Sequence, residues 1–528
     1  MNKIKGCLYI YLRKTQYASH LFIFIMLGLG LPLWWKTTEV YRQELPYKDV
    51  ESLRESFQIV QEVRLILKVK SINGGELAKV IAKECSLPGK FSVVVTPSNY
   101  SVEDETLSYL ALNLEDFDAS LPELEHYHLQ IIEVDKSEKP VVLGRRRNLF
   151  FEKKTSLNLL AAVIRSILAE EGPTSVVNQD FDGTSDLWNQ LSKLRRFASS
   201  SFLNVLFTFS NPDPELFDID WPIEAAIEEY LQPFADNLKD IVDIRPSSQH
   251  IYFAPLGVTP RKALHGDGYE ISTDLSLLIN PLESKLGEQV LPGPTANLVL
   301  LVPPARFHPL HLKNRENSDS FIVHRWGGIA FYNPPKDSNG THWIDMQPVM
   351  ETFIGQLRLL IGLDIKLPKD VARISLNEKA IADWEVDYLL RLKTIENIAY
   401  STKAIKSLTA LLETITNIVI SNDVASNVSS SLESIKKSSR LFEKGMLKES
   451  YKESLAASER ADAAFFDPSM LALLYFPSDQ KYAIYVPLFL PVGIPVLLST
   501  WSLLKSFFAS SKTEKSNINE QKEKHHQD

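Results

Sequence analysis

The side chains of this chain that could do chemistry are few and poorly spaced for it. His308 and His311 stand three apart in FHPLH, but Pro309 interrupts them and no companion ligand pattern follows. They read as surface or core histidines. His126 and His128 alternate along a strand-like run and share a face, a weak metal arrangement. His265 precedes Gly266-Asp267-Gly268, and a His-Gly pair is also the base of caspase-like cysteine peptidases. Those enzymes need a cysteine downstream of the histidine, whereas Cys85, in ECSLPG, lies upstream. The sequence holds no G-x-S-x-G elbow, no Walker A loop, no H-E-x-x-H and no cysteine-rich zinc pattern. No catalytic, cofactor-binding or metal-ligating residue is therefore assigned, and no cofactor is expected. Arg145-Arg146-Arg147 offers bidentate donors for phosphate. The plainer reading of those arginines is a solvated turn between a strand and a helix.

Two apolar stretches position whatever lies between them. Ala18 to Trp35 carries no charged group with His20 neutral. At 1.5 Å per residue it reaches about 27 Å, close to the roughly 30 Å hydrocarbon core of a bilayer. Trp34, Trp35 and Lys36 follow in the order expected where a helix leaves the membrane. Its end, Leu31-Pro32-Leu33-Trp34-Trp35, lacks an Ala-x-Ala cleavage pattern, so an uncleaved signal anchor is preferred to a signal peptide. Tyr482 to Leu504 has 23 residues without a charge and reads as a second span. Its prolines, Pro487, Pro491 and Pro495, fall every four residues on one helix face. Residues 1–17 hold four Lys or Arg and no acid, which places that tail in the cytosol; two spans return the C-terminus there too. Everything between the spans is then lumenal.

The chain has 528 residues and a net charge of -9, with no basic stripe for nucleic acid. Of its two cysteines, Cys7 is cytosolic under this topology, so no intrachain disulfide forms. Short runs rich in Val, Ile, Leu and Phe recur as strands: Val63–Lys70, Phe91–Thr96, His128–Val134, Phe202–Phe209, His250–Pro255, Asp274–Asn280, Asn297–Pro303 and Gly328–Tyr332. Helical patterns lie between several of them, over Leu157–Leu168, Ile223–Leu238 and Met350–Leu363. A helical segment is also expected from Arg42 to about Val60, and an exposed loop over Glu170–Asp186. This alternation predicts an α/β fold: a mixed-sheet lumenal domain with packed helices. From Asn377 through Phe466 there is no proline, and Gly445 is the single glycine. Ile405, Leu408, Leu412, Ile415 and Val419 form one apolar helix face. Two or three long amphipathic helices are expected, with the serine-rich stretch Ser426–Ser439 as an interhelix turn or a polar face.

The expected organisation is a cytosolic tail over 1–17, a first span over 18–35, a lumenal α/β domain over 36–370 and a lumenal helical segment over 371–480. A second span over 481–504 and a cytosolic tail over 505–528 complete it. Three N-glycosylation sequons, Asn99-Tyr-Ser, Asn339-Gly-Thr and Asn427-Val-Ser, all fall on the lumenal side.

GLPLWWKTTEVYR (30–42), NPDP (211–214), WPIEAAIEEYLQPF (221–234), INPLESKLG (279–287), RWGGIAFYN (325–333), QLRLLIGL (356–363), NIVISNDVAS (417–426) and AFFDPSMLALLYFPSDQKYAIYVPLFLPVGIP (464–495) together carry a resemblance. The chain is similar to the class S subunits of the glycosylphosphatidylinositol (GPI) transamidase complex. The match runs through nearly the whole chain in order and is thinnest from Ser71 to Asp186. The resemblance implies a two-pass glycoprotein of the endoplasmic reticulum membrane, acting in GPI-anchor biosynthesis as a non-catalytic subunit. The implied complex attaches preassembled GPI anchors to the carboxy-terminus of precursor proteins, with peptide cleavage in a separate caspase-like subunit. Partners implied are the other transamidase subunits and the membrane, with GPI lipid and precursor met through the complex. Asn339, shortly after RWGGIAFYN, is the first choice for a glycan. The competing readings are a lumenal membrane enzyme with an unrecognised site and a cargo or lipid receptor.

Overall fold

The computed structural model describes residues 41–53, 61–68, 74–85, 91–98, 114–125, 128–168, 196–263 except 198, 268–271, 276–286, 291–312, 319–335, 342–374, 376, 380–415 and 418–471, with separate helical positions within 21–36 and 483–505. The chain divides into two compact units. One comprises Pro46–Lys406 and Val428–Asp462; the other comprises Met1–Leu45, Ser407–Asn427 and Ala463–Asp528.

The larger unit contains every strand among the described residues. In chain order these are β1 (Gln61–Lys68), β2 (Phe91–Ser98), β3 (His128–Val134), β4 (Val141–Leu143), β5 (Asn148–Glu152), β6 (Phe202–Asn211), β7 (Ile219–Asp220) and β8 (Asp243–Tyr252). Then come β9 (Arg261–Lys262), β10 (Tyr269–Ile271), β11 (Thr295–Leu301), β12 (Leu310–Leu312), β13 (Ser320–Val323), β14 (Gly327–Phe331), β15 (His342–Trp343) and β16 (Val371–Arg373). The first sheet has the order β16-β4-β5-β3-β1-β2 and is parallel except for the β4–β5 pair. Its central strands β3, β4 and β5 are buried on both faces, with side chains alternating between them. Ile131, Val141, Leu143, Leu149 and Phe151 join Leu160, Val163 and Ile164 of helix Leu157–Ile167 in one core cluster. Ile132, Val142 and Phe150 point the other way, onto Phe117 of helix Leu114–Ser120.

The second sheet has the order β13-β14-β11-β6-β8, again parallel except at one pair, β13–β14. One face packs Leu206, Val299, Leu301 and Ile329 on Leu278 and Leu282 of helix Ser276–Glu283. On the other face Phe207 meets Phe353 of helix Met346–Ile361 at 5.7 Å between ring centroids. The two glycines of RWGGIAFYN allow close approach, Gly327 to the neighbouring strand β11 and Gly328 to helix Met346–Ile361. A Cβ on Gly327, at φ +155°, would lie 1.8 Å from the Asn297 carbonyl oxygen. A Cβ on Gly328 would lie 2.1 Å from Oε1 of Gln356, whose Nε2 donates to the carbonyls of Phe321 and Ile329.

Most expected elements form, with ends shifted by a few residues, and the differences have physical causes. Asp274–Asn280, expected as a strand, contributes instead to helix Ser276–Glu283. A short apolar run carries no decisive period, and Leu278, Ile279, Leu282 and Leu286 face one core as a helix does. Of His250–Pro255 only His250–Tyr252 is strand, the end of β8, which begins at Asp243. Of the segment expected as helix from Arg42, Tyr47–Ser52 is helical and residues 54–60 lie outside the described residues, as does Glu170–Asp186. Val371–Arg373, just past residue 370, pairs with β4.

Three long helices follow: Asp383–Thr414, Asn422–Glu443 and Leu447–Phe465. The serine-rich stretch is helical; Ser431, Ser434 and Ser438 are buried against another helix, while Ser426 and Ser429 are exposed. Ser431 Oγ donates to the Ala457 carbonyl at 2.6 Å, and the Ser438 and Ser450 hydroxyls each donate to the other's carbonyl at 2.8 Å. Small hydroxyl side chains let the two helices approach while satisfying their own polar groups.

The start of helix Asp383–Thr414 ties the two sheets together. Arg147, in the β4–β5 turn, reaches Asp387 through Nε at 2.5 Å and Nη2 at 2.9 Å, with both side chains buried. Trp384 Nε1 donates to the Gly144 carbonyl at 3.0 Å. Glu385 accepts from Arg358 at 2.5 Å, from Arg373 at 3.1 Å and from the Ala382 amide at 3.0 Å, the last satisfying a free donor at the helix start. About three turns on, Glu396 pairs with Arg196, which leads into β6. Removing one partner of such a pair strands a buried charge at a cost of about 3–5 kcal/mol. Asp387→Ala is expected to lower stability by about that amount, read as a fall in the thermal unfolding midpoint of the detergent-purified chain. An unchanged midpoint would show that Arg147 finds another partner.

Candidate functional site

The side chains singled out from sequence do not converge. Asn99, Asn339, His126, His265 and Cys7 lie outside the described residues, as do Gly266 and Asp267. The backbone of Cys85 ends helix Gly74–Cys85. Asn427 lies inside helix Asn422–Glu443 and is half-buried, unlike the surface loop a glycan acceptor commonly occupies. His308 packs its ring on Phe217 at 5.4 Å, and His311 pairs through Nδ1 with Asp319 at 2.6 Å. His128, within β3, is held below the usual histidine range by burial and by Arg64, against the pull of Glu125. Among the described residues no group of three His, Cys, Asp or Glu side chains is placed to hold a metal.

The three consecutive arginines serve the fold. Arg145 pairs with Glu115 at 3.0 Å and its amide donates to Asp118 at 2.7 Å. Arg146 donates to the Leu121 carbonyl, and Arg147 to the Leu124 carbonyl and Asp387. The turn is thus neither simply solvated nor an open phosphate cradle. Burial pulls the Arg147 guanidinium down, but the hydrogen bond and charge of Asp387, with Asp383 and Glu123, leave it raised overall. Burial, eased by Asp387 and reinforced by Arg147, holds Arg391 down to about 10.

The recognisable motifs also resolve into joints. In NPDP, Asn211 Nδ2 donates to the Phe217 carbonyl at 2.8 Å, and Asp213 Oδ2 accepts the Ala305 amide at 2.7 Å. Trp221, opening WPIEAAIEEYLQPF, stacks on Phe209 at 5.4 Å. In QLRLLIGL, Gly362 ends helix Met346–Ile361 in a left-handed conformation, at φ +113°.

One further arrangement lies within the smaller unit, just after the first apolar stretch. Arg42 forms a parallel bridge with Ile420. The Ile420 amide donates to the Tyr41 carbonyl at 3.1 Å, and the Gln43 amide to the Ile420 carbonyl at 3.0 Å. The Arg42 side chain turns onto the end of helix Asp383–Thr414, donating through Nη1 to the Ile415 carbonyl at 3.0 Å and through Nη2 to the Leu412 carbonyl at 2.5 Å. Tyr41 Oη donates to Asn422 Oδ1, at the first residue of the next helix, at 2.8 Å. The last carbonyls of a helix lack intrahelical donors and carry a partial negative charge, so a guanidinium there satisfies both needs. The segment leaving the apolar stretch is thereby fixed in register on two helix ends. Its partners lie about 370 residues away in sequence and have no local signal, which is why sequence reading names Arg42 but not what it holds.

Comparison with known proteins shows how far this organisation extends. The family model described as "Phosphatidylinositol-glycan biosynthesis class S protein" matches residues 21–510. The GPI-anchor transamidase component PIGS of Bos taurus is 32% identical over 95% of this chain and 96% of its own length. The protein of the same name from Homo sapiens gives the same figures. The GPI transamidase component PIG-S homolog of Schizosaccharomyces pombe is 24% identical over 94% of this chain and 85% of its own.

Arg42→Ala should remove two charge-assisted bonds to the helix end, destabilising the joint by about 1–2 kcal/mol. Arg42→Lys should recover only part of that, because an ammonium cannot serve two carbonyls with a planar fork. Protease sensitivity of the Tyr41–Asn422 region in the full chain is the measurement; equal sensitivity of wild type and both variants would refute the clamp.

Proposed function

The chain belongs to the phosphatidylinositol-glycan biosynthesis class S family, and on that premise we propose that it is a non-catalytic subunit of the GPI transamidase complex. The observation that carries this is the match over residues 21–510, joined to relatives named as transamidase components along almost their whole lengths. In that role it supports attachment of preassembled GPI anchors to the C-terminus of precursor proteins in the endoplasmic reticulum. Peptide cleavage belongs to a separate caspase-like subunit. The structural use of Arg145–Arg147 supports an accessory part.

Its contribution is positional. A lipid-borne glycan and a membrane-tethered peptide must meet one active site, and holding both in place removes entropy from the barrier. A two-pass chain with a large lumenal portion and both termini in the cytosol suits that task. Among the described residues no helix is long and apolar enough to cross a membrane. The two-pass reading draws support from the apolar side chains left exposed on both end segments. Leu21, Phe24, Leu29 and Leu33 on the first, and Val486, Leu497, Leu498 and Trp501 on the second, are each more than half exposed. Such surface is unfavourable in water at roughly 25 cal/mol per Å² and is at home in lipid. The Arg42 joint then sets where the first span meets the lumenal helices. Asn339 is its first glycan acceptor and Asn99 the second; Asn427, half-buried within a helix, ranks last of the three sequons.

Cells lacking the chain should lose surface GPI-anchored proteins and regain them on re-expression; normal surface staining in the knockout would remove this reading. Glycosidase treatment of the expressed chain should increase its gel mobility, and Asn339→Gln should reproduce part of that increase. No change on treatment would place residue 339 outside the lumen or leave it unmodified.

A further inference from the structure

We infer that Asp118, Gln130 and Asn148 form a site for one hard metal cation, held through oxygen beneath helix Leu114–Ser120. The three side chains meet on one face of the first sheet. Gln130 and Asn148 are register partners on β3 and β5, and paired residues project to the same side. That side is the one from which Ile132, Val142 and Phe150 pack on Phe117. Asp118 follows Phe117 in the helix that covers this face. Gly144, the residue after β4, makes room for the carboxylate: a Cβ there would lie 2.2 Å from Asp118 Oδ1.

Two independent observations point to a cation. The first is a buried charge without a counter-charge. Asp118 is 0% exposed. Its carboxylate accepts from the Arg145 amide at 2.7 Å and from Asn148 Nδ2 at 2.8 Å. Among the described residues no Lys, Arg or His pairs with it, and the Arg145 guanidinium is turned to Glu115 at 3.0 Å. The other buried acids, Glu385 and Asp387, each hold an arginine. A carboxylate withdrawn from water needs positive charge close by. The second observation is a pair of orphaned oxygens. Asn148 Oδ1 and Gln130 Oε1 are buried with no hydrogen-bond partner among the described residues. The Asn148 amide cannot be turned over to cure this, because its oxygen would then face the carboxylate. One carboxylate and two amide oxygens, with no nitrogen or sulfur, are ligands for an alkali ion or calcium rather than zinc or copper. Neighbouring strands lie about 4.8 Å apart, so one ion with bonds of about 2.4 Å can bridge the two amides. A single carboxylate balances a single positive charge. An alkali ion therefore leaves the site neutral, and calcium leaves one charge in excess. Bound there, the ion ties helix Leu114–Ser120 to the β4–β5 turn that delivers Arg147 to Asp387. Positions 118, 130 and 148 are joined only by the sheet, so no spacing in the sequence announces them.

The test uses the detergent-purified full chain, stripped with chelator and exchanged into choline chloride. Its thermal unfolding midpoint is followed as choline is replaced by sodium or potassium at equal ionic strength, and separately as calcium chloride is added to about 5 mM. The midpoint should rise by roughly 2 °C or more in at least one metal salt, and the salt that acts identifies the ion as alkali or calcium. Gln130→Leu, which keeps the volume and removes an oxygen, should weaken that response at least about fivefold in apparent affinity. Gln130→Glu adds a second carboxylate. It should lower the midpoint in choline and tighten calcium binding by roughly tenfold or more. Asp118→Asn should abolish the response; should that variant not fold, the two Gln130 variants carry the test. Equal wild-type midpoints in choline and in every metal salt would overturn the inference and leave a bound water as the partner of the two oxygens. A metal response that both Gln130 variants retain unchanged would place the ion elsewhere and overturn it as well.

Discussion

The larger unit depends on burying charge at the start of one helix. Asp387, Glu385 and Arg147 are almost wholly withdrawn from water. A buried charge is tolerable only when paired and hydrogen-bonded. That requirement fixes where helix Asp383–Thr414 begins. Its first turn must lie against the β4–β5 turn that carries Arg147, and beside helix Met346–Ile361 that carries Arg358. Arg196, leading into β6, extends the same logic to the second sheet through Glu396. Apolar packing favours bringing sheets and helix together, but it is nearly indifferent to small shifts of register. Ion pairs of this geometry are not, so they select one arrangement from several that bury similar area.

The smaller unit applies the same principle at a helix end. Arg42 completes the carbonyls of Leu412 and Ile415, and the main chain from Tyr41 to Gln43 pairs with Ile420. The docked segment begins within six residues of Lys36, at the end of the first apolar stretch, and its partners are the ends of two helices.

Much of the fold was legible. Helix Leu157–Ile167 and strands β3, β6 and β11 follow from uninterrupted apolar runs or a clear helical period. Where the local signal was short, tertiary context prevailed. Asp274–Asn280 has too few residues to show a period, and its helix exists because Leu278 and Leu282 can both reach the second sheet. The serine-rich stretch was ambiguous because serine suits a turn, a wet face or a tight helix contact; only the neighbouring helix Leu447–Phe465 decides among them. The candidate site was legible in half. Tyr41 and Arg42 stand in a recognisable motif, while their partners lie near residue 420.

The stretch from Ala18 to Trp35 and its counterpart from Tyr482 to Leu504 are properties of composition, since uncharged length alone sets affinity for a bilayer. The alternation of strands and helices, and the lack of a nucleophile or metal motif, are likewise read from local order. What Arg145, Arg146 and Arg147 do could not be read that way. A guanidinium is equally suited to phosphate, water or a carboxylate, and its partner is chosen by what the fold brings within 3 Å. In Arg147 that is Asp387, 240 residues along the chain. The pairing of Arg42 with Leu412 and Ile415 is of the same kind. Sequence determines which groups need partners; tertiary structure decides which partners they get, because hydrogen bonds and ion pairs act over ångströms and not along the chain.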